Sequence, residues 1–159
     1  MSKAPAGSTT GGQIPQPRQG FQAPDFTLNT NEGESLTLSD FRGQPVLVNL
    51  WASWCTPCRA EMPAMQRLYT DYHDKGLEIL AVNATSQDRL SDALAFSDEL
   101  GLTFPILLDT NGEIARLYQV QSLPTSFFIG KDGKIQDVVI GGPMSEALLR
   151  IRVDQLLEE

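Results

Sequence analysis

A continuous apolar run, PVLVNLWAS at residues 45–53, leads almost directly into the two cysteines of the chain, Cys55 and Cys58. Such a run suits a central strand that is buried on both faces of a sheet. Helical spacing begins directly after the first cysteine, with residues recurring on one face at Cys58, Met62, Met65, Tyr69 and Tyr72. Gly76 ends this predicted helix. The cysteine pair is therefore predicted to lie where a buried strand gives way to a helix.

The rest of the chain alternates between strand and helix patterns. In order, the sequence predicts a hairpin around residues 31–33, strands at 77–84 and 103–109, helices at 86–100 and 111–120, a second hairpin at 125–141, and a last helix capped by Ser145. The predicted buried side of the helix at 86–100 comprises Leu90, Ala93, Leu94 and Leu100. This order is typical of an α/β fold, with a central mixed β-sheet flanked by helices on both faces and an N-terminal β-hairpin extension.

Residues 1–20 differ from the rest of the chain in composition, with three prolines, four glycines and almost no apolar side chains. Such a segment buries too little surface to offset the entropy lost when it is ordered. We expect residues 1–20 to be a flexible tail, which is either the remnant of a tether or export segment or a disordered end. Residues 21–159 are expected to form one domain.

Charge and hydropathy exclude two classes of partner. The formal net charge of the 159 residues is -8, and the 12 Lys and Arg residues form no basic cluster, so nucleic acid is not an expected ligand. No apolar stretch approaches the roughly 18 to 20 residues that span a bilayer, so we expect a soluble chain. Cysteine usage leaves the compartment open, because one Cys-x-x-Cys pair suits a reducing cytosol and an oxidising exterior equally well.

A Cys-x-x-Cys pair can exchange disulfides, hold a metal or staple a loop. At the start of a helix Cys55 is favoured as a thiolate, and Pro57 fits the first helical turn, where its missing N–H costs nothing. Cys58, about one turn further on, can then displace a substrate from Cys55. Structural zinc needs four ligands, whereas the chain offers two cysteines and His73, and a two-residue loop stabilises little as a staple. The sequence therefore favours redox exchange, with no metal.

Segments along most of the chain carry a family resemblance. The motif WASWCTPCRAEMP at 51–63, together with APDFTL, FPILLD, YQVQSLPTSFFIGKDGKI and the glycines at 141–142, resembles the TlpA/ResA-like thiol-disulfide oxidoreductases of the thioredoxin superfamily. The resemblance covers about residues 20–159. It implies a thioredoxin-like fold and an enzyme that reduces or exchanges disulfides in protein substrates, with apocytochrome c in cytochrome c maturation as a plausible case.

The resemblance also implies partners and a location. The expected partners are protein thiols and disulfides and an upstream thiol reductant, for which a membrane electron donor is a candidate. We expect a monomer without a cofactor. The implied location is outside the cytoplasm, in the periplasm or on the outer face of the cell membrane, although the sequence by itself also permits the cytoplasm.

Residues of the active site follow from the same resemblance. It implies a cis peptide bond between Leu123 and Pro124, with the Leu123 backbone pairing with an incoming substrate segment and Pro124 packing near both sulfurs. Trp54 would pack beside the disulfide, whereas Trp51 is more typical of a core residue. The residues implied to contact substrate are Trp54, Thr56, Pro57, Leu123 and Thr125.

Two positions refine the expected proton chemistry. Thioredoxins carry a buried Asp on the strand before the motif, and Asn49 fills that place here without a proton to transfer. Glu61, three residues after Cys58, matches the acid that ResA-like proteins place beneath the active site. A half-buried carboxyl tends to have a raised pKa and can exchange protons with the resolving thiol. The alternative for Glu61 is a solvated acid in the first turn of the helix.

Two other functions stay open at this point. Peroxiredoxins share the APDFTL opening and the fold, but their peroxidatic cysteine lies in a P-x-x-x-T-x-x-C context, which neither Cys55 nor Cys58 has. A non-catalytic thioredoxin-like interaction domain would tolerate the loss of both cysteines. The expected catalytic residues of the favoured function are Cys55, Cys58, Glu61 and Pro124.

Overall fold

A computed structural model of the chain describes residues 14–159. Its strands are β1 (Thr27–Asn29), β2 (Ser35–Thr37), β3 (Val46–Trp51), β4 (Glu78–Asn83), β5 (Ile106–Leu108), β6 (Thr125–Ile129) and β7 (Ile135–Ile140). Its α-helices are α1 (Thr56–Tyr72), α2 (Leu90–Leu100), α3 (Glu113–Leu117) and α4 (Glu146–Leu157). Part of the predicted tail, residues 1–13, lies outside the described residues.

The apolar run before the cysteines forms the central strand of a mixed sheet. The strand order is β5-β4-β3-β6-β7, and all six residues of β3 are buried. Strand β3 runs parallel to β4 and antiparallel to β6. Strands β1 and β2 pair as a separate antiparallel hairpin. The prediction of a mixed central sheet with an N-terminal hairpin is therefore confirmed.

The sheet separates two apolar layers, because alternate side chains of a strand point to opposite faces. On one face Leu47 and Trp51 of β3 pack with buried side chains of α1, α2 and α4. On the other face Val48 and Leu50 pack with Ile114 of α3 and with side chains from the hairpin region. Helices therefore cover both faces, as the sequence predicts.

The ends of α1 follow the local sequence signals. Cys55 occupies the N-cap position, and proline stands in the first turn at Pro57. A short 3-10 turn at His73–Lys75 follows α1 and ends at Gly76, whose φ of 109° lies in the left-handed region that glycine adopts at little cost. Met62 and Met65 are fully buried, and His73 is exposed.

The helix predicted at 86–100 begins later than predicted. Helix α2 starts at Leu90, after a 3-10 turn at Thr85–Gln87. Its buried residues are Ala93, Phe96 and Ser97, while Leu90 is 43% exposed. The predicted buried side of this helix was therefore wrong at Leu90. The residues between β4 and α2 are held by contacts to the segment before Cys55, which a helical pattern does not reveal.

Residues 14–20, the described part of the predicted tail, lie beside the start of β7. The Gly20 N–H donates to the Ile135 carbonyl at 2.8 Å, and the Gln16 N–H donates to the Gln22 carbonyl at 3.0 Å. The domain boundary between residues 20 and 21 stays a prediction. Within residues 14–159, no helix is both long and apolar enough to cross a membrane.

Candidate active site

The two cysteines lie at the junction of β3 and α1. Cys55 and Cys58 form a disulfide, with their Cα atoms 5.2 Å apart. The Cys58 N–H donates to the Cys55 Sγ at 3.2 Å, so this sulfur occupies the place of an N-cap acceptor at the start of α1. Cys55 is 4% exposed and Cys58 is fully buried. Of the two cysteines, Cys55 is therefore the more exposed residue.

The start of α1 favours negative charge on the Cys55 sulfur. Backbone N–H groups in the first turn of a helix have no partner within the helix, and the helix dipole places positive charge there. One of these N–H groups, that of Cys58, already points at the Cys55 sulfur. After reduction the same contact would stabilise a thiolate, which is the form of cysteine that attacks disulfides.

A loop before β6 approaches the same end of the sheet. Strand β6 is antiparallel to β3 and pairs Thr125 with Leu50, so β6 begins beside the end of β3. The Leu123–Pro124 peptide bond is cis, and Pro124 is buried. The Pro124 carbonyl accepts a hydrogen bond from the Gly141 N–H at 2.7 Å. Leu123 is partly buried against the apolar cluster that contains both cysteines.

Glu61 is a buried acid one helical turn beyond Cys58. It is 1% exposed, and its Oε2 accepts a hydrogen bond from the Met144 N–H at 2.9 Å. Its Oε1 accepts one from the Asn49 Nδ2 at 3.1 Å. Burial raises the pKa of Glu61, and these two hydrogen bonds oppose that rise without cancelling it. Glu61 is therefore not a solvated surface acid.

Asn49 joins Glu61 to the neighbouring strand. It is fully buried on β3, and its Nδ2 also donates to the Ser126 Oγ on β6 at 2.9 Å. The amide thus presents both of its hydrogens to acceptors. Among the described residues, its Oδ1 has no hydrogen-bond partner. An Asn at this position can orient the Glu61 carboxyl, but it has no proton of its own to transfer.

The loop after β7 closes over the Glu61 carboxyl. A Cβ added at Gly142 would lie 2.9 Å from the Glu61 Oε2 and 3.0 Å from the Pro124 Cγ. These distances are too short for a side chain, so the close approach requires glycine. The Gly142–Pro143 bond is also cis, which the sequence analysis did not predict. The glycines at 141–142 were noted in the sequence only as part of the resemblance.

The other predicted substrate contacts surround the disulfide unevenly. Trp54 is 59% exposed, and its Nε1 donates to the Gln87 carbonyl at 2.9 Å. Thr56 is exposed, Pro57 is half-buried, and Thr125 is buried with its Oγ1 donating to the Ser122 carbonyl at 2.8 Å. Their contacts with substrate stay predictions. Trp51 is fully buried, consistent with a core residue.

One residue close to the site was missed by the sequence analysis. The Asp88 carboxylate accepts hydrogen bonds from the Ser53 N–H at 2.7 Å and the Ser53 Oγ at 2.6 Å. Asp88 thereby holds Ser53, which lies two positions before Cys55. The sequence carries no signal for this contact, since the two residues are 35 positions apart and an isolated Asp before a helix is common at helix starts.

Comparisons with known proteins agree with this geometry. A family model described as the AhpC/TSA family matches residues 20–138. The chain is 48% identical over 125 residues to "Thioredoxin-like protein YneN" of Bacillus subtilis strain 168, covering 78% of this chain and 72% of that protein. It is 42% identical over 131 residues to "Thiol-disulfide oxidoreductase ResA" of Geobacillus kaustophilus strain HTA426, covering 82% and 74%.

A solved structure extends the similarity to the fold. A crystal structure described as that of a candidate thiol:disulfide interchange protein DsbE from Chlorobium tepidum matches with a TM-score of 0.81 and 35% sequence identity. The match covers 88% of this chain and 98% of that one. The thioredoxin-like fold predicted from the sequence is therefore confirmed.

Proposed function

This chain belongs to the AhpC/TSA family and is a thiol-disulfide oxidoreductase of the ResA and DsbE type, and from that premise we propose that it works as a reductant of disulfides in other proteins. The observation that carries the proposal is the position of the Cys55 sulfur. It lies at the start of α1, faces the Cys58 N–H at 3.2 Å, and belongs to the less buried of the two cysteines. This arrangement suits an attacking thiolate backed by a resolving thiol.

The proposed reaction has two exchange steps. In the first, the Cys55 thiolate attacks one sulfur of the substrate disulfide, a mixed disulfide forms, and the other substrate sulfur leaves as a thiolate that takes up a proton. In the second, Cys58 loses its proton and attacks the Cys55 sulfur, which releases the second substrate thiol. The substrate disulfide gains two electrons and two protons, and the enzyme is left with the Cys55–Cys58 disulfide found in this structure.

Glu61 is proposed to take the proton from Cys58 in the second step. The two residues are three positions apart on α1, so they share one face of the helix, and both are shielded from water. A buried carboxyl with a raised pKa can hold and release a proton closer to neutral pH than a solvated one can. Asn49 and the Met144 N–H hold its two oxygens in place.

Substrate docking is proposed for the rim around the disulfide. The cis-Pro124 loop precedes β6, which begins beside the end of β3, and the exposed Trp54 indole belongs to the residue before Cys55. A substrate segment would pair with the Leu123 backbone while contacting Trp54, Thr56, Pro57 and Thr125. The resemblance to ResA-like proteins supports apocytochrome c as a substrate, an upstream thiol reductant as electron donor, and a location outside the cytoplasm.

The function is tested by reduction of insulin disulfides with dithiothreitol as the electron source. The protein should accelerate insulin reduction, Cys55→Ser should abolish turnover, and Cys58→Ser should accumulate the mixed disulfide, because the resolving thiol is gone. Full activity of Cys55→Ser would show that the redox assignment is wrong. Peroxide consumption at a comparable rate would instead favour a thiol peroxidase. A chain with no turnover in either assay would favour an interaction domain.

A further inference from the structure

The segment between β4 and α2, residues 84–89, is fastened to the segment that precedes Cys55. We call residues 84–89 the clamp loop. Its centre is Asp88, whose carboxylate accepts four hydrogen bonds. Two come from Ser53, from its N–H at 2.7 Å and its Oγ at 2.6 Å. The others come from the Asn83 Nδ2 at 3.0 Å and the Arg89 N–H at 2.8 Å.

The clamp loop also holds Trp54 and the end of β3. The Trp54 Nε1 donates to the Gln87 carbonyl at 2.9 Å, and the Ala84 N–H donates to the Trp51 carbonyl at 2.9 Å. The indole of Trp54 is 59% exposed. The hydrogen bond to the carbonyl of Gln87, the residue before Asp88, therefore contributes to holding this exposed side chain.

The Asp88 carboxyl is held in its ionised form, in which both oxygens accept hydrogen bonds. Burial acts to raise the pKa of this carboxyl, but the hydrogen bonds from Ser53, Asn83 and Arg89 outweigh that effect, and its pKa is lowered. The carboxylate is therefore ionised at every pH at which thiol exchange proceeds. Capping of α2 does not account for these contacts, because only the Arg89 N–H belongs to the start of that helix. Ser53 lies after β3, and Asn83 is the last residue of β4.

We propose that Asp88 is a positioning residue that holds the indole of Trp54, the residue before Cys55, and thereby strengthens the binding of protein substrates. Trp54 and Asp88 line one open groove of about 640 Å³ on this side of the molecule. Because the indole is held before substrate arrives, less conformational freedom is lost on docking. The inference rests on the proposed reduction of protein disulfides, in which Trp54 contacts substrate.

The first test measures the indole directly and does not depend on activity. The chain has two tryptophans, so NMR resolves two indole N–H signals, and the fully buried Trp51 serves as the internal reference. In Asp88→Asn, hydrogen exchange of the Trp54 indole N–H should accelerate by about tenfold or more while that of Trp51 is unchanged. Asp98→Asn, which removes an exposed carboxylate from α2, should leave both signals as they are. Unchanged exchange at Trp54 in Asp88→Asn would overturn the proposal.

The second test separates positioning from general stability. With insulin as substrate, Asp88→Asn should raise KM by about tenfold, whereas reduction of a small disulfide such as oxidised glutathione should stay within about twofold, because a small disulfide needs no docking surface. In a Trp54→Ala background the Asp88→Asn change should have no further effect on KM. An equal KM increase in both backgrounds, or equal losses with both substrates, would contradict action through Trp54.

A milder pair of variants covers the case in which Asp88→Asn folds poorly. Ser53→Ala removes only the hydroxyl that donates to the Asp88 Oδ1, and Ser53→Thr retains a hydroxyl there. Ser53→Ala should raise KM for insulin, whereas Ser53→Thr should leave KM close to that of the unchanged protein. If the unchanged protein fails to reduce insulin, the proposed function fails and the indole exchange still decides the role of Asp88. If insulin is reduced and both Trp54 exchange and KM are insensitive to Asp88, only the positioning role fails.

Discussion

At the scale of single residues, the acid under the disulfide is the group whose environment most affects the proposed chemistry. Glu61 is 1% exposed, and residues from two distant parts of the chain, Asn49 and Met144, donate to its oxygens. Burial raises its pKa, so it keeps a proton to higher pH than a solvated carboxyl does. A carboxyl of this kind can accept the Cys58 proton and return it within one catalytic cycle.

Replacing Glu61 with Gln should slow the second exchange step and shift the titration of Cys58. Glutamine keeps the shape and an acceptor oxygen but exchanges no proton, so turnover with insulin should fall by about 10²-fold, the lower end of what a positioned base contributes. In a Cys55→Ser background, the pH dependence of Cys58 alkylation should move to lower pH, because a carboxylate no longer opposes the neighbouring thiolate. The control is Glu113→Gln, on the exposed side of α3. An unchanged Cys58 titration would remove the proton role.

The position of Glu61 near the cysteines could be anticipated from the sequence, but its degree of burial could not. The spacing from Cys58 places it on the inner face of α1, and the resemblance names it as an acid near the site. The covering atoms come from Met144 and the Gly142 loop, about 80 residues further along the chain. A local pattern does not contain such contacts, which is why the sequence predicted a half-buried group and the structure has a fully covered one.

At the scale of secondary-structure elements, α4 links the protein's stability to the loop that covers Glu61. The Ser145 Oγ accepts a hydrogen bond from the Leu148 N–H at 3.1 Å and caps the helix, as the sequence predicts. The preceding residue, Met144, donates to Glu61. Helix α4 then packs on the sheet through Leu149 and Val153. The cap therefore fixes where the helix begins and where the covering loop ends.

Removing the cap should lower stability by a modest, measurable amount. Ser145→Ala leaves a helix N–H without its acceptor, and such substitutions cost about 1 kcal/mol. The free energy of unfolding of the oxidised protein, measured with urea, should fall by about that amount. Ser145→Asp retains an acceptor oxygen and should unfold close to the original midpoint. Equal midpoints for Ser145→Ala and the unchanged protein would show that the hydrogen bond contributes nothing.

Elements with strong local patterns were predictable, and the segment that depends on distant contacts was not. Strand β3 and helix α1 follow from an apolar run and a 3.6-residue period. Helix α2 was predicted to begin at residue 86, but Gln87 and Asp88 instead accept hydrogen bonds from Trp54 and Ser53. Those bonds join residues that are more than 30 positions apart in the sequence, and only the folded sheet brings them together.

At the scale of the whole molecule, the strand order brings the residues of the candidate active site together at one edge of the sheet. Strand β3 ends at the cysteines, and the antiparallel β6 begins at the same edge just after Pro124. The parallel β4 also ends there and leads into the clamp loop. The opposite edge, where β3 and β4 begin, contains a second buried acid, Glu78, which pairs with Val46. Substitution of Glu78 can therefore test stability without changing a residue of the candidate active site.

Glu78 makes the stability of the whole domain depend on pH. Burial raises the pKa of this carboxyl, opposed by the Ile79 N–H, a hydrogen bond with Tyr69 and the charge of His73. Since the pKa is raised in the folded state, Glu78 stabilises the fold at acid pH, and this contribution is lost as pH rises through the folded pKa. Glu61 acts in the same direction. The folded protein therefore loses stability from both buried acids as the solution becomes more alkaline.

Glu78→Gln should remove one of these two contributions. Glutamine cannot ionise, so the melting temperature of Glu78→Gln minus that of the unchanged protein should increase as the pH rises from about 5 to about 8. A constant offset from lost packing does not alter this trend, because only the pH dependence of the difference is read. Glu34→Gln on the exposed hairpin controls for the change in net charge. A melting-temperature difference that stays flat or shrinks as the pH rises would show that Glu78 does not have a raised pKa in the folded protein. If the difference increases with pH and Glu78→Gln reduces insulin as fast as the unchanged protein, this pH sensitivity belongs to the edge of the sheet remote from the cysteines.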